Sequence, residues 1–299
     1  MDLAQLTDYI KCPSCDATRL EASPDRILCA SCHRSYEVAD GIPILTVEEH
    51  LKPHERHQIR HYDQHYSAFS ATDYRLERWR ESMLKRLFEN GALGQVSTYL
   101  DVGCGATGYT TIEAARRKGW LAFGTDISLQ AMQRARSLAE AQGVGDNTAF
   151  MVSSAARLPF RKASMDYVSA VSVLEHVEHD AVAAGYIADA LRPDGSCFIC
   201  VPNTYLRMWP FFWPIYWLTD FRVGHKRHYS IERLDALMSG LGMRRAWLAY
   251  NGHLEKVFQL FRERYGTISD ADWWRIEDRD VNLKSIALQL NAVYRKSTR

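Results

Sequence analysis

The chain has 299 residues, a size that fits one large domain or two unequal ones. Hydrophobic residues make up 46% and charged residues 24%, which supports a sizeable core and excludes wholesale disorder. Thirty-seven Lys and Arg against thirty-six Asp and Glu give a net charge of +1. That balance argues against a protein built to grip nucleic acid, which carries a basic footprint. Met1 to Ile10 contains acids and no apolar core of a signal sequence. The apolar stretch Trp209 to Leu218 is about half a membrane span and is cut by Pro210 and Pro214. A soluble, cytoplasmic protein is expected.

Four of the seven cysteines fall in the first 32 residues, as Cys12-Pro-Ser-Cys15 and Cys29-Ala-Ser-Cys32. Two such knuckles let four thiolates converge tetrahedrally on Zn2+, leaving no open position for chemistry, so the site is read as structural. Disulfides are disfavoured in a reducing compartment, and a redox Cys-x-x-Cys opens a helix. A segment this short draws most of its folding energy from the metal. Short strands are expected at Arg26 to Leu28, Arg34 to Val38 and Ile42 to Leu45, the last following an Asp40-Gly41 turn. Residues 1–45 carry four basic and seven acidic residues, a net −3 that makes a poor phosphate clamp. The knuckles and the Asp40-Gly41-Ile42-Pro43 ending resemble the Trm112-like zinc ribbons. The resemblance implies a methyltransferase further along the chain and leaves room for a protein partner on the ribbon.

Residues 47–92 read as a helical linker and N-terminal helices. His50, His54, His57, His61 and His65 follow helical spacing and lie roughly on one face. A solvated helix joining two domains accounts for them, a metal site or pH switch being the alternative. Tyr74 to Asn90 repeats Leu76, Trp79, Met83, Leu84 and Leu87 with helical period and stops near Gly91.

Then follows Ser97-Thr98-Tyr99-Leu100-Asp101-Val102-Gly103-Cys104-Gly105-Ala106-Thr107-Gly108, with a helix over Ile112 to Lys118. A strand, a glycine-rich turn and a helix in this order bring the backbone against a bound cofactor. A second strand, Ala122 to Thr125, ends at Asp126, which is placed to accept from ribose hydroxyls. The glycines also match the dinucleotide fingerprint. A pyrophosphate site, however, wants no carboxylate close by, and Asp101 stands two residues before the first glycine. An acid there suits a cationic cofactor such as S-adenosylmethionine.

The ordered set Asp101-Val102-Gly103-Cys104-Gly105, Gly108, Asp126, Arg157-Leu158-Pro159-Phe160, Ser172-Val173-Leu174-Glu175-His176-Val177 and Leu191-Arg192-Pro193-Asp194-Gly195 resembles the class I methyltransferases. Within them it is most similar to the small-molecule and quinone-type branch. The resemblance implies an α/β fold: a seven-stranded, mostly parallel Rossmann-like sheet over residues 93–299, preceded by a small zinc ribbon over residues 1–46. It implies S-adenosylmethionine as cofactor, with Asp101, Gly103, Cys104, Gly105 and Gly108 around its methionine part, Asp126 on the ribose and Ile127 on the adenine. Ser154, Ala155 and Val173 complete the expected cofactor set. The family commonly has Gly-Asp-Ala where this chain has Ser153-Ser154-Ala155, which removes the charged acceptor for the adenine amine. Cys104, together with Cys197 and Cys200, also sits in apolar sequence and reads equally as core.

Methyl transfer is an in-line displacement in which the protein aligns the nucleophile and excludes water. A general base with a pKa near neutrality helps an oxygen or nitrogen acceptor. The candidates are His176 and His225, with Glu175 beside them at the end of the fourth strand, Asp166 to Val173. Quinone-type enzymes can hold a metal with Glu-x-x-Glu-His, but here the first position is Ser172. Glu178, His179 and Asp180 read as solvated helix-end groups. An aromatic insertion at about 203–229, with Trp209, Phe212, Trp213 and Trp217, directly follows the fifth strand, Cys197 to Val201. It reads as a lid over an apolar or lipid-linked acceptor, as a peripheral membrane contact through residues 205–228 helped by the basic Arg222 to His228, or as core. The tail is expected to give a strand at Met243 to Tyr250, a helix at Leu254 to Arg264, a loop holding Trp273-Trp274 and a last strand at Ser285 to Lys296. The leading function is a methyltransferase acting on a small acceptor. The alternatives are an RNA methyltransferase that uses the ribbon as its grip and a non-catalytic cofactor-binding scaffold.

Overall fold

The computed structural model describes residues 1–67, 74, 76, 78–204, 224–252 and 287–297. The expected aromatic lid, with Trp209, Phe212, Trp213, Trp217 and Arg222, the helix at 254–264 and the Trp273-Trp274 loop lie outside the described residues.

The N-terminal region opens on helix α1 (Leu3–Thr7) and builds a four-stranded antiparallel sheet from β1 (Leu20–Ala22), β2 (Arg26–Cys29), β3 (Ser35–Ala39) and β4 (Ile42–Pro43). Each Cys-x-x-Cys turn is closed the same way. Asp16 and His33 take left-handed backbone, at φ 61° and 57°, and return their N–H groups to the carbonyls of Cys12 and Cys29. The Asp40-Gly41 turn joining β3 to β4 has both residues at positive φ, the geometry that matches the twist of a hairpin.

Helix α2 (Pro53–Ser67) and helix α3 (Arg78–Phe88) lead into the main sheet. The sheet is formed by β5 (Thr98–Val102), β6 (Leu121–Asp126), β7 (Thr148–Val152), β8 (Met165–Val171), β9 (Leu191–Pro202), β10 (Met243–Asn251) and β11 (Gln289–Lys296). Its order is β10-β11-β9-β8-β5-β6-β7; β11 runs antiparallel to both its neighbours and the remaining pairs are parallel. Helices α4 (Tyr109–Lys118), α5 (Leu129–Ala141), α6 (Asp180–Ala190) and α7 (Ile231–Ser239) fill the crossovers. This is the expected seven-stranded, mostly parallel α/β sheet with a small antiparallel sheet N-terminal to it. The continuous apolar strands are buried on both faces: all five β5 residues are buried, as are residues 195–202 of β9, including Cys197 and Cys200. In β9 the Arg192–Gly195 stretch bulges, so that Leu191 lies opposite Met165 and Ser196 opposite Tyr167.

The small sheet is welded to the large one. Ile44 forms a parallel bridge with Val152, and Leu45 N–H donates to the Val152 carbonyl, so the chain leaving β4 covers the free edge of β7. A second bridge pairs Ile10 with Phe160, and Lys11 N–H donates to the Pro159 carbonyl. Arg161 spans the seam, donating from Nε to the Ile10 carbonyl at 3.0 Å and from Nη2 to those of Thr7 and Thr18 at 2.7 and 2.9 Å. Leu6, Ile10, Ile27 and Val38 belong to the same buried cluster as Phe123, Leu158 and Phe160.

Arg161→Ala removes three charge-assisted bonds across this seam and should lower stability by about 1–3 kcal/mol. Urea unfolding checks it, together with limited proteolysis, in which cleavage within residues 1–46 should accelerate.

Candidate functional site

A cavity of about 180 Å3 opens at the carboxyl ends of the first strands. Gly103 and Gly105 of the β5–α4 turn form one wall, at φ 69° and 64°. A Cβ on Gly103 would stand 2.5 Å from Val173 Cγ2, so a side chain here would force the two loops apart. Thr125, Asp126 and Ile127 at the end of β6, Ser153 to Ala155 after β7, and Ser172, Val173, His176 and Val177 after β8 complete the sheet side. The fourth wall comes from outside the sheet: His54, Glu55, Gln58 and Tyr62 of α2.

Asp126 is held by backbone donors, Gly105 N–H at 3.1 Å on Oδ2 and Ser128 N–H at 3.1 Å on Oδ1. Burial raises its pKa against these bonds, with the Asp63 carboxylate on α2 adding to the rise. Ser128 caps α5 through Ala131 N–H and donates to Asp63, which ties α2 to the β6 loop.

The structure brings Gly103, Gly105, Asp126, Ile127, Ser154, Ala155, Val173 and His176 onto one cavity. Asp101, Cys104 and Gly108 stand behind its wall. Asp101 is 1% exposed and collects hydroxyl donors from Ser169 at 2.7 Å, Thr111 at 3.2 Å and Thr110. Burial pushes its carboxyl up to about 6 despite those bonds. In this arrangement it locks β5 to β8 and to the first turn of α4. Cys104 Sγ packs 3.9 Å from Met132 Sδ, as its core reading anticipated, and Gly108 caps α4 against Ala135 and Phe150.

Strand β8 ends at Val171, earlier than expected, because Ser172 turns to φ 55°. Glu175 and His176 therefore ride on a turn beneath the glycine loop. His176 Nδ1 lies 3.3 Å from the Gly224 carbonyl. A carbonyl can only accept, so Nδ1 carries the proton and Nε2 is left unprotonated. Burial, then the neighbouring His225, whose ring centroid is 5.0 Å away, pushes the His176 pKa down to about 4. Glu175 is fully buried, and among the described residues neither carboxylate oxygen completes a hydrogen bond. Burial pushes its carboxyl up to about 8, the proximity of its own backbone N–H and of Ser172 offsetting only part of the rise. One ligand atom each from Glu175, His176 and His225 lie within 4.8 Å of one another, a set able to hold a metal ion.

Two readings of the sequence need correction. The histidine stripe does not mark a purely solvated linker: α2 roofs the cavity, and its inward face is set by Glu55, Gln58 and Tyr62, with His54 Nδ1 3.0 Å from Glu178. Gln58 Nε2 also reaches the His176 carbonyl at 3.5 Å. Asp180, expected as a solvated helix-end group, instead accepts from Tyr229 Oη at 2.8 Å and Arg233 Nη2 at 3.1 Å. Within the basic cluster, Arg227 spends its donors on the Leu174, Val177 and Glu178 carbonyls.

At the other end of the chain, Sγ of Cys12 lies 3.6 Å from that of Cys32, and Sγ of Cys15 lies 3.6 Å from that of Cys29. All four fall within 4.8 Å of one another. Four sulfurs about 2.3 Å from a central ion in a tetrahedron would sit roughly 3.8 Å apart. Burial opposes ionisation of Cys29, but backbone donors at Cys32 and Ser31 and the thiols of Cys32 and Cys15 draw it down to about 7, while the same cluster pushes Cys15 up to about 12.

Comparison with known proteins agrees with this geometry. Residues 100–199 match the family model described as Methyltransferase domain. Over that stretch the chain carries a methyltransferase domain. Methyltransferase GfsG of Streptomyces halstedii is 29% identical over 119 residues, 40% of this chain and 42% of that protein. The ubiquinone/menaquinone biosynthesis C-methyltransferase of Brucella anthropi is 28% identical over 140 residues, 47% of this chain and 52% of that protein. The chain thus spans about half the length, or less, of these relatives. Among solved structures, geranyl diphosphate C-methyltransferase of Streptomyces coelicolor superposes with a TM-score of 0.61 over 83% of this chain and 98% of that one, at 13% identity. That likeness is one of fold. Among the described residues, no helix is long and apolar enough to cross a membrane.

The buried Glu175 of the methyltransferase domain gives a pH signature. The folded state keeps a proton up to about pH 8 that the unfolded chain releases near 4.5, so this group's contribution falls as pH rises between those values. The stability gap between Glu175→Gln and wild type should therefore shift in favour of the variant by about 1 kcal/mol per pH unit from pH 5 to 8. Parallel urea titrations at pH 5, 6.5 and 8 with chelator present measure that gap; a constant gap would contradict a protonated Glu175.

Proposed function

We propose that this protein is an S-adenosylmethionine-dependent methyltransferase acting on a small, apolar or lipid-linked acceptor, with O- or N-methylation favoured. The observation that carries the reading is the cavity itself: glycine backbone, an acid at the end of the second strand and an apolar Ile127 converge there beside the methyltransferase-domain motifs. When bound, the cofactor would supply the electrophilic methyl group. Gly103 and Gly105 would admit its methionine part, with Asp101 holding the loop from behind. Asp126 would accept from the ribose hydroxyls, and Ile127, Ser154 and Ala155 would flank the adenine. The neutral His176, its lone pair on Nε2, is suited to accept a proton from a hydroxyl or amine acceptor, with His225 adjoining it. A low pKa makes it a weak base, so orientation of the acceptor is its larger share.

A second reading of the same turn has Glu175, His176 and His225 bind a divalent cation that orients the acceptor, favoured by the unpartnered Glu175 oxygens. The small-molecule acceptor is supported by the name of one relative, the ubiquinone/menaquinone biosynthesis C-methyltransferase, and by the aromatic sequence Trp209 to Trp217. The residues 205–228 offer a peripheral membrane contact to a cytoplasmic protein. The ribbon over residues 1–46 is proposed as a Trm112-like structural zinc module, the linker and first helices as residues 47–92 and the catalytic domain as residues 93–299. The ribbon's acidity keeps RNA modification the weaker alternative.

Calorimetry tests the cofactor: wild type should bind S-adenosylhomocysteine, and Asp126→Ala should bind it about tenfold or more weakly. Tighter binding of NADH than of that ligand would instead support the dinucleotide reading. Incubation with labelled S-adenosylmethionine and cell extract should place label in solvent-extractable small molecules; label in RNA alone would overturn the acceptor class.

Elemental analysis should find one zinc per chain. Cys12→Ser and Cys29→Ser should each lose that metal and lower solubility. A metal-free fresh preparation would refute the structural zinc.

A further inference from the structure

The methyltransferase motif is incomplete after β7, where Ser154 stands in place of a carboxylate, yet the cavity there is not without one. Glu55, the third residue of α2, is 7% exposed and lines the cavity beside Ser154. Its Oε2 accepts the Lys52 N–H at 2.8 Å, and its Oε1 accepts from Ser154 Oγ. A buried acid at a cavity wall costs free energy unless it is bonded, and these two donors hold it in a single orientation. They do not exhaust it: a carboxylate offers about four lone-pair sites.

Ser154 cannot do the same work. Its hydroxyl has one proton, committed to Glu55, while its oxygen receives Ala156 N–H at 3.1 Å. With a ribose on Asp126, a base attached to it would extend toward Ile127 and Ser154, where Glu55 presents a carboxylate with spare acceptor capacity. Of the groups on an adenine ring, the 6-amino group is the hydrogen-bond donor; a 6-oxo purine presents an acceptor there and would face the carboxylate unfavourably.

We propose that Glu55, carried in by α2 across 99 residues of sequence from Ser154, is the adenine-recognising acceptor of this protein and determines its choice of 6-amino over 6-oxo nucleosides. The proposal rests on the S-adenosylmethionine reading. It gives α2 a function: the helix must be docked before the base site is complete, so the segment between ribbon and sheet is part of the cofactor site.

Calorimetry with S-adenosylhomocysteine and S-inosylhomocysteine tests it on the full chain. Wild type should prefer the adenine ligand by about tenfold or more, since mismatching a buried hydrogen-bonding group is costly. Glu55→Gln preserves size and the helix-start bond to Lys52, a position where Gln serves as well as Glu, but presents a donor as well as an acceptor. It should bring the two affinities to within a few-fold. Equal affinities in wild type or a ratio unchanged by Glu55→Gln would each overturn the role of Glu55 while leaving the cofactor assignment standing. Failure of wild type to bind either ligand would overturn both. The wild-type comparison needs no variant, so misfolding of Glu55→Gln cannot shield the idea.

Discussion

The open edge of β7 is the constraint on which the rest of the structure depends. A parallel sheet buried on both faces still ends in a row of unpaired N–H and C=O groups. Here the chain leaving the small sheet supplies the partner, with Ile44 and Leu45 bridging to Val152. Because β7 is also the strand that leads into Ser153 to Ala155, whatever covers its edge arrives directly beside that end of the cavity. Lys52, Pro53 and Glu55 follow eight to eleven residues after Ile44, and α2 lies across the cavity. Edge protection and completion of the site are the same event.

This arrangement changes the meaning of the N-terminal region. A zinc-held ribbon tethered by a flexible linker could be dispensable to the domain it precedes. A segment whose Ile44 bridges the edge of the main sheet, whose Ile10 bridges Phe160 and whose carbonyls are gathered by Arg161 is a structural wall of that domain.

Electrostatics divide the cavity along its length. At the end under the glycine loop, buried Glu175 holds its proton to about pH 8 while His176 gives its own up below neutrality, at about pH 4. At neutral pH both are uncharged, which places no fixed anion beside a sulfonium and no cation that would repel it. At the other end Asp126 and Glu55 are held by backbone and hydroxyl donors. Asp101, the acid nearest the glycines in sequence, is drawn behind the wall by Ser169, Thr110 and Thr111.

The sequence by itself determined what depends on local pattern. The apolar runs of β5, β6 and β8, the glycines that must turn at Gly103 and Gly105, the Asp at the end of β6 and the spacing of the four cysteines are all short-range signals. Each carries its reason in steric or ligand geometry. They were enough for the α/β sheet, its strands and half of the sixteen residues that line the cavity. What only the tertiary structure decided is where long-range partners meet. Glu55 looked like one acid in a polar, histidine-rich helix; nothing within a few residues of it foretells a hydroxyl 99 positions away. Asp101 looked like a cofactor contact because its donors, Ser169 above all, come from another strand. Asp180 looked solvated because Tyr229 and Arg233 reach it from across the fold. Side-chain polarity is written in the sequence, but whether a polar group meets water, a ligand or another side chain is settled by the packing of distant elements.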